Sequence, residues 1–263
     1  VADPTQADSL LQLAARLAKH KQYELECLNV ILIPKETDPA EATFSDENGR
    51  IISSLAEAIG HEFKIPVHTN IRVAHDIGDA ISDTIRERKI NLFLMRWTGS
   101  KREQKGDDLL HSVLQNTRCG VVLASRLTTP ERKENYLVPA ARFLDAGLAV
   151  DLLPVVTKDD VRETINLCNV SKDGICEDID NEIELLAQKV RVEYDLDVER
   201  SKIIANSNTK LLNEISMSQN CDVVVIGMSR KSLVKSMHHR SFKKMISKGK
   251  AAVVLVCKES KEP

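Results

Sequence analysis

The sequence predicts an α/β protein of two tandem doubly wound domains, each a roughly five-stranded parallel sheet with helices on both faces. Three observations predict it. First, the chain repeats itself: moved by 131 positions, the stretch from Ile51 to Gly99 lies on the stretch from Glu182 to Arg230 without a gap. Leu55-Ala56 meets Leu186-Ala187, Phe63-Lys64-Ile65 meets Tyr194-Asp195-Leu196, and Leu92-Phe93-Leu94-Met95 meets Val223-Val224-Val225-Ile226. A solenoid unit is about 20 to 50 residues long, so this period is a duplicated small domain. Second, apolar runs of strand length alternate with helix-period segments, the mark of parallel strands covered by helices. Third, the run Thr128-Thr129-Pro130-Glu131-Arg132-Lys133-Glu134-Asn135 breaks periodicity and is charged. It reads as a linker (128–135) between domain 1 (1–127) and domain 2 (136–263).

The elements follow in order. Leu10, Leu11, Leu13, Ala14, Leu17 and Ala18 have helical spacing, with Asp3 or Thr5 available as a cap. The run from Leu25 to Ile33 reads as a buried strand stopped by Pro34. Residues 35–49 read as a loop. A helix is expected over Ile51–Phe63, a strand over Val67–Val73, and a helix over Ile77–Arg88 with Ile77, Ile81 and Ile85 on one face. Asn91–Met95 is a short strand, Leu109–Leu114 a helix, and Gly120–Ala124 the last strand of copy one.

Copy two opens on a strand at Tyr136–Pro139, for which copy one has no counterpart because the sequence begins where it would end. Ala140-Ala141-Arg142 resembles Ala14-Ala15-Arg16 but follows Pro139 directly, so the first helix of domain 2 is degenerate or a segment is missing there. Strands are expected at Ala149–Val156, Ile203–Ala205, Cys221–Gly227 and Ala251–Cys257. Helices are expected at Glu182–Val192 and Thr209–Met217.

Bulk composition narrows the function. Hydrophobic residues are 42% and charged residues 29%, ordinary for a globular protein, and aromatics at 3% leave the cores to Leu, Ile, Val and Ala. A formal net charge of −2 argues against a general nucleic-acid binder. Six cysteines without C-x-x-C or zinc-like spacing read as reduced, mostly buried thiols of a cytosolic protein. No apolar run approaches 18 residues, so the sequence contains no membrane span, although it can be part of a protein that does.

The order βαβαβαβαβ, doubled, resembles a tandem universal stress protein. The resemblance is carried by Val1-Ala2-Asp3, by Leu137-Val138-Pro139, and by the strand ends Met95-Arg96-Trp97 and Ile226-Gly227-Met228. It implies a Rossmann-like five-stranded sheet and, in many members, ATP bound by a loop G-x2-G-x9-G-[S/T] after the fourth strand. Glycines there let backbone N–H groups approach phosphate. Copy two reads Gly227-x2-Arg230-x9-Arg240-Ser241, with spacing and serine kept and two glycines replaced by arginine. Copy one reads Arg96-x2-Gly99-x11-His111-Ser112. Gly227, Arg230, Arg240 and Ser241 are therefore the candidate anion or nucleotide residues, with arginine side chains in place of glycine backbone. The expected cofactor is none, ATP being the weaker alternative.

Val67-His68-Thr69-Asn70-Ile71-Arg72-Val73-Ala74-His75-Asp76, with Ile85-Arg86-Glu87-Arg88, is similar to the stress-protein modules behind prokaryotic amino-acid–polyamine–cation transporters. These include amino-acid permeases and cation-chloride cotransporters. The resemblance implies a non-catalytic C-terminal regulatory or assembly domain on the cytosolic face of the plasma membrane. Its partners would be the transmembrane domain of its own transporter and a second copy. The alternative is a free-standing tandem stress protein that binds ATP or another adenine nucleotide.

Several other features have bland and sharp readings. The segment from Arg230 to Lys250 contains no acid, and reads either as a solvated helix face or as a site for phosphate, anionic lipid or an acidic partner. Trp97 reads as core, with filling of the nucleotide cleft by Trp97 or Arg96 as the alternative. His75, Asp76 and His111 read as structural or surface residues, since no nucleophile motif accompanies them. Asp178, Asp180, Glu182 and Glu184 lack calcium-loop spacing and read as first-turn acids of a helix. Cys168 and Cys176 read as thiols without a role, metal or disulfide being the alternative. No catalytic or metal residue is assigned. The terminal strands Val121–Leu123 and Val253–Val256 are expected to pair with each other, to bind a second molecule, or to be buried without a partner role.

Overall fold

A left-handed backbone turn recurs 131 positions apart, at Lys64 (φ 57°) and Asp195 (φ 54°), in each case closing a helix that leads into a strand. The duplication read from the sequence is thus a duplication of structure. The computed structural model describes residues 4–38, 47–97, 104–127, 135–141, 144–157, 163–171, 177–204, 221–248 and 251–257.

The described chain runs α1 (Pro4–Lys21), β1 (Leu25–Leu32), α2 (Glu47–Phe63), β2 (Val67–Ala74), α3 (Ile77–Glu87), β3 (Leu92–Arg96), α4 (Gln104–Asn116) and β4 (Gly120–Ser125). It continues with β5 (Asn135–Ala140), α5 (Ala146–Val150), α6 (Leu153–Val156), β6 (Thr164–Ser171), α7 (Glu177–Glu193) and β7 (Asp197–Ile204). The last elements are β8 (Val223–Met228), α8 (Arg230–Met237), α9 (Arg240–Lys248) and β9 (Ala252–Cys257). The helix expected at Thr209–Met217 and linker residues 128–134 lie outside the described residues.

Two compact units result, one of Val1–Asn91 with Asp108–Thr117, the other of Leu92–Asp107 with Arg118–Pro263. In the first unit β1 and β2 pair in parallel from Leu25↔Val67 to Leu32↔Ala74. Ala7, Leu11 and Ala15, four apart on α1, bury against Ile52, Ala56 and Ile59 of α2. Gly60 is needed there, because a Cβ would come 2.2 Å from Val67 Cγ2. Asp76 caps α3, its carboxylate accepting the N–H of Asp79 at 3.0 Å.

In the second unit seven strands lie in the order β3-β4-β9-β8-β5-β6-β7. Strands β5 to β9 form the five-stranded parallel sheet expected of copy two, with β5 at its centre between β6 and β8. In that topology the second and fourth strands both pair with the first and not with each other. Copy one has four described strands and no counterpart of β5 among them, so they fall into two sheets. The pair β3-β4 extends the sheet of copy two through an antiparallel ladder, Val121↔Cys257 to Ser125↔Val253. The mutual pairing of the two terminal strands, one of three alternatives open in the sequence, is therefore the one adopted. It satisfies the backbone groups of two apolar edges at once. Arg126, just after β4, donates from Nε to Ala251 O (2.9 Å) and from Nη1 to Ile246 O (2.5 Å).

The strand expected at Ala149–Val156 is a correction. These residues belong to α5 and α6, and the strand is β6 at Thr164–Ser171. Ala146, Ala149, Val150 and Leu153 are all buried, a helical spacing inside a run too short for periodicity to decide. The Asp145 carboxylate caps α5 by accepting the N–H of Leu148 at 3.0 Å. Strand β6 was hidden by its asparagines, which find partners only in the fold. Asn169 donates to Asp180 (2.5 Å), and Asn166 accepts the Ser201 hydroxyl (2.6 Å). Helices α5 and α6 stand where copy one has the 18 residues of α1.

Candidate functional site: the altered phosphate loops

Strand β8, buried at all six positions, brings Gly227 to its end beside α5. The Asp145 N–H donates to Gly227 O at 2.8 Å. A Cβ on Gly227 would lie 1.9 Å from Asp145 O and 2.9 Å from Ala149 N. Gly227 is thus required by the close approach of this chain's own backbone, on the side where a Cβ would point.

The turn that follows is also closed by the chain itself. Ser229 caps α8, its hydroxyl accepting the Ser232 N–H at 3.1 Å. Arg230 reaches across to the residue before β4, donating from Nη2 to Cys119 O at 2.6 Å. Its charge also pulls down the Cys257 thiol, which burial nonetheless pushes up to about 11. Arg240 is exposed at the first position of α9. Ser241 follows in the helix, and its side chain lies outside the described residues. Of the four expected residues, Gly227 and Arg230 are joined by the β8–α8 turn and both work in packing, while Arg240 faces solvent.

In copy one, Arg96 is exposed at the end of β3 and Gly99 lies outside the described residues. Trp97 is core, 1% exposed. Its indole N–H donates to Asp107 Oδ1 at 2.9 Å, and its ring centroid lies 5.9 Å from that of Phe242 on α9. Asp107 also receives the Lys243 ammonium. Ser112 sits on α4 against α3, where a Cβ on Gly78 would meet its hydroxyl at 2.8 Å. His111 is half-buried on the same helix, and His75 is exposed with Nδ1 3.4 Å from Ile33 O.

Among the described residues, no group of three or more His, Cys, Asp or Glu side chains is placed to hold a metal ion. Asp180 is held by Lys202 (2.9 Å) and Asn169, which keep its carboxyl below the usual range. Glu184 pairs with Arg200. Burial, helped by Asp145, pushes the Glu182 carboxyl up. Asp178 lies in α7 with its side chain outside the described residues, as does Cys176 entirely, whereas Cys168 is a buried free thiol.

One feature escaped the sequence reading. A surface recess of about 470 Å³ is lined by Asn70, Arg72, Glu87 and Arg88, within the motif that resembles transporter-linked modules. Its charges answer one another: Arg72 holds Glu87 through two hydrogen bonds (2.8 and 3.0 Å) and donates to Thr84 Oγ1 (2.8 Å). The Arg72 bonds hold the Glu87 carboxyl below its usual range. The basic segment singled out in the sequence forms the exposed face of α8 and α9. Lys231, Lys235, His238, His239, Arg240 and Lys244 all face solvent, over an apolar side made by Leu233, Met237, Phe242, Met245 and Ile246.

Residues 1–125 match the universal stress protein family. In fold the chain is universal-stress-protein-like. Its fold is also that of a universal stress protein from Archaeoglobus fulgidus, at a TM-score of 0.58 and 12% identity, covering 97% of this chain and 93% of that one. The cytoplasmic domain of a prokaryotic cation chloride cotransporter is similar at a TM-score of 0.58 and 12% identity, over 100% of this chain and 95% of that one. In sequence, 140 residues are 24% identical to the Na(+)/H(+) antiporter NhaS5 of Synechocystis sp.. That match takes in 52% of this chain and 20% of the antiporter, so the chain spans about one fifth of that relative. Among the described residues no helix is long and apolar enough to cross a membrane.

Proposed function

We propose that this chain is a non-catalytic regulatory and assembly domain of a membrane transporter, lying on the cytosolic face of the plasma membrane. The transporter would be of cation-chloride cotransporter or amino-acid permease type. The domain acts through contacts with its own transmembrane part and with a second copy, without a nucleotide, a metal or nucleic acid. The observation that carries this reading is the internal use of the phosphate-loop residues. The Cβ side of Gly227 is taken up by Asp145 and Ala149, and Arg230 is turned onto Cys119. A loop so engaged favours domain packing over phosphate binding. Similarity to a cotransporter's cytoplasmic domain and to an antiporter supplies the setting.

Fractionation of source cells, probed with an antibody to this chain, tests the proposal. The expected result is a polypeptide much larger than 29.4 kDa in the membrane pellet. A 29.4 kDa band confined to the soluble fraction would overturn it. That outcome would favour the second reading, a free-standing tandem stress protein that binds ATP. Exposed Arg240 and the retained spacing to Ser241 speak for that alternative. Calorimetric titration with ATP, lost in Arg240→Glu, would support it.

A further inference from the structure

We infer that the outer face of the α8–α9 helical pair docks on an anionic membrane surface. This rests on the transporter-domain reading and names the partner of the same loop region. Lys231, Lys235 and His239 recur at four-residue spacing along α8 and its end, and Arg240 and Lys244 repeat that spacing on α9. Side chains so spaced share one helix face. All five are exposed.

Among the described residues no acid pairs with the cations of this face. No acidic residue occurs between Arg230 and Lys248 in a chain whose formal net charge is −2, so cationic charge is concentrated here. Among the described residues Lys231, Lys235, Arg240 and Lys244 take part in no ion pair, while neighbouring Lys243 is turned inward onto Asp107. An unpaired cluster of lysine and arginine attracts acidic headgroups by long-range electrostatics.

The side-chain chemistry of the patch selects among anionic partners. The aromatic residue of the two helices, Phe242, is buried and offers no base a stacking surface. Exposed lysines spread along two helices suit a fluid array of acidic headgroups, which needs no fixed geometry.

The test is co-sedimentation of the full chain with vesicles of phosphatidylserine and phosphatidylcholine, against vesicles of phosphatidylcholine alone. Binding is expected to the acidic vesicles only, and to weaken as salt is raised. The fourfold variant Lys231→Gln, Lys235→Gln, Arg240→Gln, Lys244→Gln changes exposed residues only. Each charge near such a surface is worth about fivefold in affinity, so the variant should lose binding by about several hundredfold. The control Lys21→Gln with Lys89→Gln, also exposed, should bind as the unaltered chain does. Equal binding to neutral vesicles, or undiminished binding by the fourfold variant, would overturn the inference. So would capture by soluble polyglutamate without vesicle binding, which would identify an acidic protein partner instead. The outcome is separable from that of cell fractionation. A large membrane polypeptide without vesicle affinity keeps the transporter reading and discards this surface. Vesicle affinity in a small soluble protein does the reverse.

Discussion

The ammonium of Lys243 on α9 meets the carboxylate of Asp107 at the start of α4, 136 positions earlier in the chain. The same carboxylate accepts the indole N–H of Trp97, whose ring packs on Phe242. Asp107 is only 8% exposed, so removing either donor leaves a buried polar group poorly satisfied. Lys243→Met should destabilise by about 2 kcal/mol, between the values for exposed and buried pairs. The double variant with Asp107→Asn should recover part of that loss, because it leaves no unpaired charge. Thermal or urea unfolding of the single and double variants measures both, and strictly additive losses would argue against the coupling.

Two glycines near the loop should respond in opposite directions. Gly227→Ala drives a Cβ to 1.9 Å from Asp145 O, and backbone cannot yield cheaply. A loss of at least ~3 kcal/mol is expected. Gly147, in α5, would meet nothing closer than Asp145 Oδ1 at 3.5 Å. Gly147→Ala should therefore stabilise by about 0.5–1 kcal/mol, through the lower entropy of the unfolded chain. A denaturation midpoint that moves the same way for both would contradict this account.

The β4–β9 ladder predicts the behaviour of copy two alone. Residues 136–263, expressed without copy one, would leave the edge of β9 unpaired beside buried Val253, Val254 and Leu255. Such an edge seeks another strand. Light scattering should find a dimer or larger species, and Val254→Lys should shift it toward monomer. A monomeric fragment at the same concentration would show that the ladder is dispensable.

Cys257 should be unreactive and alkali-sensitive. Burial first, and then neighbouring Cys119, push its thiol up to about 11, against the opposing pull of Arg230. A folded-state value above that of the unfolded chain leaves stability intact below the ordinary thiol range. Stability is then lost as pH rises from that range to about 11, because the unfolded thiol ionises first. Wild-type protein should lose more stability than Cys257→Ala over that interval. Iodoacetamide at neutral pH should leave Cys257 unmodified until denaturant is added. Rapid labelling of Cys257 in the native protein would refute the burial.

The amino-acid sequence alone determined the duplication and the α/β class, because both are carried by local patterns. Examples are the apolar runs of β4 and β8, the one-face isoleucines Ile81 and Ile85, and the match of Phe63-Lys64-Ile65 to Tyr194-Asp195-Leu196. It also marked the loop positions, since Gly227, Arg230, Arg240 and Ser241 keep a recognisable spacing. Tertiary structure decided what those positions do. That Gly227 is filled by Asp145 and that Arg230 belongs to Cys119 depend on residues 82 and 111 positions away. The β4–β9 ladder was one option among three until the strands were placed. The error at 149–156 has the same origin: a short apolar run satisfies strand and helix alike, and only a cap by Asp145 and burial of one face resolve it. Local periodicity reports which side of an element is apolar, whereas the fold determines what that side meets.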